Sequence, residues 1–145
     1  MAAPHMTATL DSAQRAAWSD KLKAHGLRTT EPRLLLAHLL FSKGNRHLTA
    51  EALLAEARAA GLSVSQATIY NTLNQFCEAG LLREVQVDQT RSYFDTNLSD
   101  HHHFYVEEDG QLIDIAADAV ALGTLPQAPD GYSVAGVDIV IRLQK

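Results

Sequence analysis

Four glycines divide the N-terminal part of the chain and limit what it can fold into. Each follows a stretch in which apolar residues recur with the period of a helix; they are Gly26, Gly44, Gly61 and Gly80. Glycine in this position is typical of the left-handed residue that ends a helix. After Gly80, apolar and polar residues alternate, which indicates β-strands. The pattern predicts four helices followed by strands.

The sequence also indicates where these helices begin. The first is predicted over residues 12–25. The other three follow side chains able to cap a helix N terminus: Thr30, Thr49 and either Ser63 or Ser65. Pro32 lies in the first turn of the second helix, where its missing amide hydrogen does no harm.

The fourth helix has two different faces. Ile69, Leu73 and Phe76 recur at i, i+4 and i+7 and predict a buried stripe. The opposite face is polar but nearly uncharged. It consists of Gln66, Tyr70, Asn71, Asn74 and Gln75. Because Gln and Asn can make paired hydrogen bonds to adenine in the major groove, this face is a candidate DNA-reading surface.

Two alternating segments follow, over residues 81–87 and 90–96, and the Asp88-Gln89 pair between them predicts a β-hairpin. Helices that end in an amphipathic helix and a hairpin form a winged helix-turn-helix, whose last helix enters the major groove. The alternative is a small helical domain whose polar face has no partner. Arginines near these elements can contact phosphates; they are Arg28, Arg33, Arg83 and Arg91.

The formal net charge of −5 first argues against a nucleic-acid binder. The charge is unevenly divided, however. Residues 1–91 hold ten Lys or Arg against eight Asp or Glu, whereas residues 92–145 hold two against nine. This asymmetry predicts two functional regions, of which the acidic one suits a divalent cation.

The C-terminal part is predicted to be a small α/β unit. Residues 101–108 and 111–116 form strands joined by a turn at Asp109-Gly110, a short helix covers residues 116–123, and a final strand lies within 132–144. About 45 residues bury too little surface to be stable alone. Dimerisation through this sheet would supply the burial and place two helix-turn-helix units on one palindromic site.

A run of three histidines, residues 101–103, begins this acidic unit. On a strand His101 and His103 share one face, so that both can bind one metal ion. Further ligands can come from Asp95, Asp114 and His47. Histidine with carboxylate suits Fe(II), Mn(II) or Zn(II). The alternative is a surface run of histidines that binds nothing.

Several classes of protein are excluded or disfavoured. A metal site can activate water, but the sequence has no HExxH, nucleophile elbow or phosphate-binding glycine loop, so a metal-dependent hydrolase is a distant alternative and no catalytic residue is predicted. The apolar runs are shorter than the ~18 residues of a membrane span, which predicts no membrane partner. The single cysteine favours a reduced, cytoplasmic protein.

The residues also resemble a known family. The segments GLRTTEPRLLLAHLL, RHLTAEALL, VSQATIYNTLNQFCEAGLLREV, YFDTN and HHHF resemble the ferric uptake regulator (Fur) family in order and spacing. Within it, LLFSKGNRHLTAE, IYNTLNQF and GYSVAGVDIVIRL are most similar to the iron response regulators (Irr) of alphaproteobacteria.

This resemblance implies a homodimeric, operator-binding transcription regulator that senses metal. Residues 1–94 would form the winged helix (with a loose tail over 1–11), 95–100 a hinge, and 101–145 the dimerisation and sensing domain. The implied regulatory metal ligands are His47, Asp95, His101, His103 and Asp114. The implied DNA-binding residues are Arg28, Arg33, Gln66, Thr68, Tyr70, Asn71 and Asn74, with Tyr70 on the bases and Arg33 near phosphates.

The similarity to the Irr group further implies a haem response. Haem would bind at His101, His102 and His103 and weaken repression of iron and haem genes, with a haem-supplying protein as a further partner. The alternatives within the family are a peroxide sensor and a manganese- or zinc-responsive regulator.

Two departures from the family limit the expected cofactors. Cys77 is the only cysteine, so the structural zinc that many members hold with four cysteines is not expected, nor is haem binding at a Cys-Pro motif. Cys77 is expected in the core. A second metal site would have only Asp100 and His102 to offer.

Overall fold

The computed structural model describes residues 10–145, which form two compact units, the first ending at Leu98 and the second covering Ser99–Lys145. The first unit holds all the α-helices of the described part and one sheet, and the second is built on another sheet. The α+β class is therefore confirmed. The predicted loose tail lies outside the described residues as far as residue 9, whereas Asp11 caps the first helix.

The four helices begin and end close to the predicted residues. They are α1 (Ser12–Ala24), α2 (Glu31–Phe41), α3 (Ala50–Ala59) and α4 (Gln66–Glu78). The caps of α2 and α3 are Thr30 and Thr49, and Ser65 rather than Ser63 caps α4 by accepting a hydrogen bond from the amide of Thr68. None of these helices combines the length and apolar character that crossing a bilayer requires.

Glycine ends the helical segments as predicted. The four glycines have φ between +73° and +85°. At the end of α4, Gly80 donates its amide hydrogen to the Cys77 carbonyl and Leu81 donates to the Phe76 carbonyl, at 3.0 and 2.9 Å. This reversal directs the chain out of α4 into the hairpin.

The core of the first unit lies between the helices. Ile69, Leu73 and Phe76 are fully buried, which confirms the predicted stripe of α4. They pack in one cluster with residues of the other helices, including Leu22, Leu36, Leu40 and Leu53. This packing fixes α4 with its polar face outward.

A small antiparallel sheet completes the first unit. Its strands are β1 (His47–Leu48), β2 (Arg83–Gln86) and β3 (Ser92–Asp95), in the order β1-β3-β2. The β2–β3 hairpin confirms the predicted one. Strand β1 was not predicted, because two residues are too few to show alternation.

The second unit is a three-stranded sheet with the order β5-β4-β6, formed by β4 (His101–Val106), β5 (Gln111–Ala116) and β6 (Val140–Leu143). The first two strands are antiparallel as predicted, and β6 runs parallel to β4. The helix predicted over residues 116–123 is wrong: only a 3₁₀ turn, Ala117–Ala119, forms there. It has no capping side chain and no buried residue, so nothing stabilises a longer helix. The last strand is also shorter than predicted.

Candidate metal centre and nucleic-acid interface

Two histidines and a carboxylate of the second unit point at one another. On β4, His101 and His103 share a face, and β5 places Asp114 directly across from His103. The Nε2 atoms of His101 and His103 lie 3.6 and 3.4 Å from the same oxygen, Oδ1 of Asp114. The imidazole rings are buried, whereas the carboxylate is partly exposed. The alternative of a solvent-exposed histidine run does not fit this burial.

The spacing of these three groups suits a shared metal ion. Ligand atoms about 2.0–2.1 Å from a tetrahedral ion lie ~3.3 Å from one another, close to the separations from Asp114 Oδ1. Moreover, Nδ1 of His101 donates a hydrogen bond to the Ser99 carbonyl at 2.6 Å. With its proton at Nδ1, the neutral ring presents the Nε2 lone pair toward Asp114. A carbonyl in this role is what commonly orients a metal-binding histidine.

His102 has the opposite arrangement. The Ile139 amide donates to Nδ1 of His102 at 3.2 Å, so the neutral ring carries its proton on Nε2 and has no second lone pair to offer. His102 is buried, and Asp100 lies exposed just before the strand. This hydrogen bond ties the segment before β6 to β4 and would have to break before His102 bound a metal or haem iron.

The first unit holds the other two predicted metal ligands side by side. His47 on β1 pairs with Asp95 on β3. The residues next to them, Arg46 and Thr96, exchange hydrogen bonds: each amide donates to the other residue, at 2.9 Å. Asp95 is buried and accepts a hydrogen bond from the Asn97 amide at 2.9 Å.

Arg46 anchors this pair of strands to the helices. Its guanidinium donates to both carboxylate oxygens of Glu56 on α3, at 2.9 and 2.6 Å, and to the Leu39 carbonyl of α2 at 3.1 Å. The hydrogen bonds from Arg46 are the largest cause of the lowered pKa of Glu56, and Lys43 contributes to it. The sequence pattern missed Arg46, Glu56 and Thr96, since no local period relates them.

The candidate DNA-reading face of α4 is exposed along its length. Its exposed side chains are Gln66, Thr68, Tyr70, Asn71, Asn74 and Gln75. Tyr70 donates its hydroxyl hydrogen to Glu51 in the first turn of α3, at 2.7 Å. Glu51 was not predicted, because it lies 19 residues from Tyr70 in sequence.

Arginines of the first unit lie beside this face. A pocket of about 290 Å³ is lined by Arg28 and Arg33 together with Thr68, Asn71 and Gln75. Arg33 donates to the Arg28 carbonyl at 3.2 Å and to Gln75. Two guanidinium groups beside exposed amides are suited to phosphate contacts.

Comparison with known proteins decides the family. Residues 24–140 match the sequence profile of the ferric uptake regulator family. The chain is also 33% identical, over 100 residues that cover 68% of each protein, to the ferric uptake regulation protein of Shigella flexneri.

The chain belongs to the ferric uptake regulator family. Members of this family are dimeric DNA-binding transcription regulators and not enzymes, so the hydrolase alternative is wrong.

Solved structures of the ferric uptake regulator family share the fold. The manganese-containing regulator of Pseudomonas aeruginosa superposes with a TM-score of 0.67 at 24% identity, over 88% of this chain and 97% of that one. The Vibrio cholerae regulator gives 0.68 at 21% identity, over 88% and 98%. This likeness confirms a winged helix followed by a small α/β domain.

The single cysteine of the chain does not belong to the cluster of possible metal ligands in the described residues. Cys77 packs, half-buried, against the core of the first unit. Burial is the main cause that raises the pKa of its thiol to about 11, and Glu84 and Glu78 add to it. The thiol is therefore protonated at neutral pH and a weak nucleophile.

Proposed function

We propose that the protein is a homodimeric, metal- and haem-responsive repressor that controls iron and haem genes by binding operator DNA in the cytoplasm. The family membership supports transcription regulation. The haem response is supported by the sequence resemblance to the Irr group. A protein that supplies haem is proposed as a further partner.

The observation that carries the sensing function is the cluster of His101, His103 and Asp114. One ligand atom from each lies within 4.8 Å of the others, and both rings are almost fully buried. Two imidazole nitrogens and a carboxylate oxygen that converge in this way form a set of donors for one divalent ion. The donor set fits Fe(II), Mn(II) or Zn(II).

We assign the regulatory site to these three residues together with His47 and Asp95 of the first unit. A divalent ion there would offset part of the negative charge of residues 92–145. It would act on DNA binding only through a difference in its affinity for the DNA-competent and DNA-incompetent states.

Haem is proposed to use His101 and His103, so that it competes with the metal for the same nitrogen atoms. His102, also proposed as a haem ligand, would first have to give up its hydrogen bond from Ile139. For the same reason a second metal site at Asp100 and His102 has little support.

DNA binding is assigned to the exposed face of α4 and the adjacent arginines, namely Arg28, Arg33, Gln66, Thr68, Tyr70, Asn71 and Asn74. Dimerisation is assigned to the second unit, where apolar side chains are exposed in the single chain. These include Ile113, Leu122, Leu125, Tyr132, Val134 and Ile141. Covering them against a second copy would bury the surface that so small a unit lacks.

The test is DNA affinity measured with Mn²⁺ alone and with Mn²⁺ plus haem. The duplex is one selected by the wild-type protein from a random-sequence library. We expect haem to release DNA from the wild type and to give a Soret band on titration, and the His101→Ala/His103→Ala variant to lose both responses. His25→Ala, at an exposed helix end, is the matched control and should respond like the wild type.

If haem releases DNA from the double variant at the same concentration, the proposed mechanism is wrong. DNA binding that depends on manganese or zinc but ignores haem would favour the manganese- or zinc-responsive alternative. Addition of one oxygen atom to His47 or His101 after peroxide treatment of the iron form, detected by mass spectrometry, would favour the peroxide sensor.

A further inference from the structure

A hydrogen bond joins the two helices of the helix-turn-helix at their exposed surface. The hydroxyl of Tyr70 on α4 donates to Oε1 of Glu51 on α3 at 2.7 Å. Both residues line a groove of about 520 Å³ between these helices and the hairpin, with Asn74, Glu84 and Arg91. Tyr70 as a whole is 37% exposed to solvent.

The helix segments that carry the donor and the acceptor of this hydrogen bond are both packed into the core. Ala50 and Leu53, on either side of Glu51, are buried in the core, and so are Ile69 and Leu73 beside Tyr70. Glu51 also lies in the first turn of α3, where the helix dipole stabilises a carboxylate. The hydrogen bond therefore orders the Tyr70 side chain before DNA binds. An unrestrained tyrosine would lose this conformational entropy on binding, which would weaken the affinity.

A carboxylate beside the proposed DNA-reading helix lowers the affinity for DNA, because it repels phosphates. The hydrogen bond that Glu51 accepts from Tyr70 explains why a carboxylate is present there. We propose that Glu51 is a positioning residue for DNA recognition: by holding the Tyr70 phenol, it sets how strongly the protein discriminates between base sequences. This inference rests on the proposed DNA-reading role of α4.

The protonation states agree with this arrangement at neutral pH. The hydrogen bond from Tyr70 lowers the pKa of Glu51, and the hydrogen bond to Glu51 raises the pKa of Tyr70. The carboxylate thus remains an acceptor and the phenol a donor.

The test compares affinity for the selected duplex with affinity for a scrambled duplex at one salt concentration. We expect Glu51→Ala to lower the ratio of the two affinities by ~10-fold, as the loss of one charge-assisted hydrogen bond predicts. The same variant should bind the scrambled duplex more tightly, because it removes a negative charge. Glu51→Gln keeps an acceptor oxygen and should keep a ratio close to that of the wild type.

Two controls separate positioning from charge and from folding. Glu84→Ala removes the same charge from the same groove without touching the Tyr70 hydrogen bond, and should leave the ratio unchanged. In a Tyr70→Phe background, Glu51→Ala should lower the ratio no further, since the hydrogen bond is already absent.

The proposal is overturned if Glu51→Ala raises both affinities equally, or if it lowers the ratio as much in the Tyr70→Phe background as in the wild type. If the wild type selects no sequence from the library, the proposed function itself fails, and the role of Glu51 fails with it. A defined selected sequence combined with an unchanged ratio in Glu51→Ala refutes only the role of Glu51.

Discussion

The ion pair between Arg46 and Glu56 should decide much of the stability of the first unit. We consider Arg46→Ala. This variant loses the paired hydrogen bonds to Glu56, at 2.9 and 2.6 Å, and the bond to the Leu39 carbonyl at 3.1 Å. Among the described residues, Glu56 then keeps Lys43, at 3.0 Å, as its cationic partner.

The expected magnitude follows from the burial of the pair. Exposed ion pairs contribute about 0.2–1 kcal/mol, whereas breaking a fully buried pair costs about 3–5 kcal/mol. The side chains of Arg46 and Glu56 are 22% and 25% exposed, which lies between these limits. We expect Arg46→Ala to lower the free energy of unfolding of the first unit by ~2 kcal/mol.

The assay is urea denaturation followed by the fluorescence of Trp18. It is the only tryptophan of the chain and lies in α1, where its ring nitrogen donates to His38 at 3.1 Å, so its signal follows the first unit alone. Arg15→Ala is the control, because the Arg15–Glu31 pair is largely exposed. It should change stability by less than ~0.5 kcal/mol.

The effect should also depend on pH. The pKa of Glu56 is lowered in the folded state. The contribution of its carboxylate to the free energy of unfolding is therefore present above the ordinary pKa of 4.5 and is lost as the pH falls through the folded-state pKa. The difference in free energy of unfolding between the wild type and Arg46→Ala should shrink as this contribution is lost. An equal effect of Arg46→Ala and Arg15→Ala at neutral pH, or a difference that grows on acidification, would refute the reasoning.

Three further predictions concern the core, a helix cap and the thiol. Phe76→Ala should destabilise the first unit by about 3–5 kcal/mol in the same urea assay, because the ring is fully buried; a loss below ~1 kcal/mol would contradict this packing. Thr49→Ala should cost ~1 kcal/mol by removing the hydroxyl oxygen that accepts a hydrogen bond from the Ala52 amide, and Thr49→Ser should restore most of this stability. Cys77, with its pKa raised to about 11, should react with iodoacetamide at pH 8 far more slowly than the unfolded chain does, and equal rates would show that the thiol is not shielded.

The predicted helices and hairpins depended on signals contained within short segments. Caps, glycine ends and apolar periods each span one element, so α1 to α4 and the β4–β5 hairpin could be predicted. The helix expected over residues 116–123 shows the limit of such signals. Four of its eight residues are alanine, the best helix former, but a helix needs a face to bury, and no residue of the Ala117–Ala119 turn is buried.

The candidate metal site was also predicted from the sequence only in part. Alternation along a strand predicted that His101 and His103 would share a face, and the structure has both facing Asp114. Which nitrogen of the His102 ring accepts a hydrogen bond depended on a tertiary contact. The Ser99 carbonyl, only two residues from His101, directs Nε2 of that ring toward Asp114, whereas the Ile139 amide, 37 residues from His102, occupies Nδ1 of the His102 ring.

The sequence by itself therefore determined α1 to α4, the two hairpins, the polar face of α4 and the sign of the charge in each half, since these follow from residue order and local period. Only the tertiary structure decided that Glu51 holds Tyr70 and that Arg46 ties the strand bearing His47 to α2 and α3. These contacts join residues distant in sequence, and their geometry is set by how the helices pack around the core, which no local pattern records.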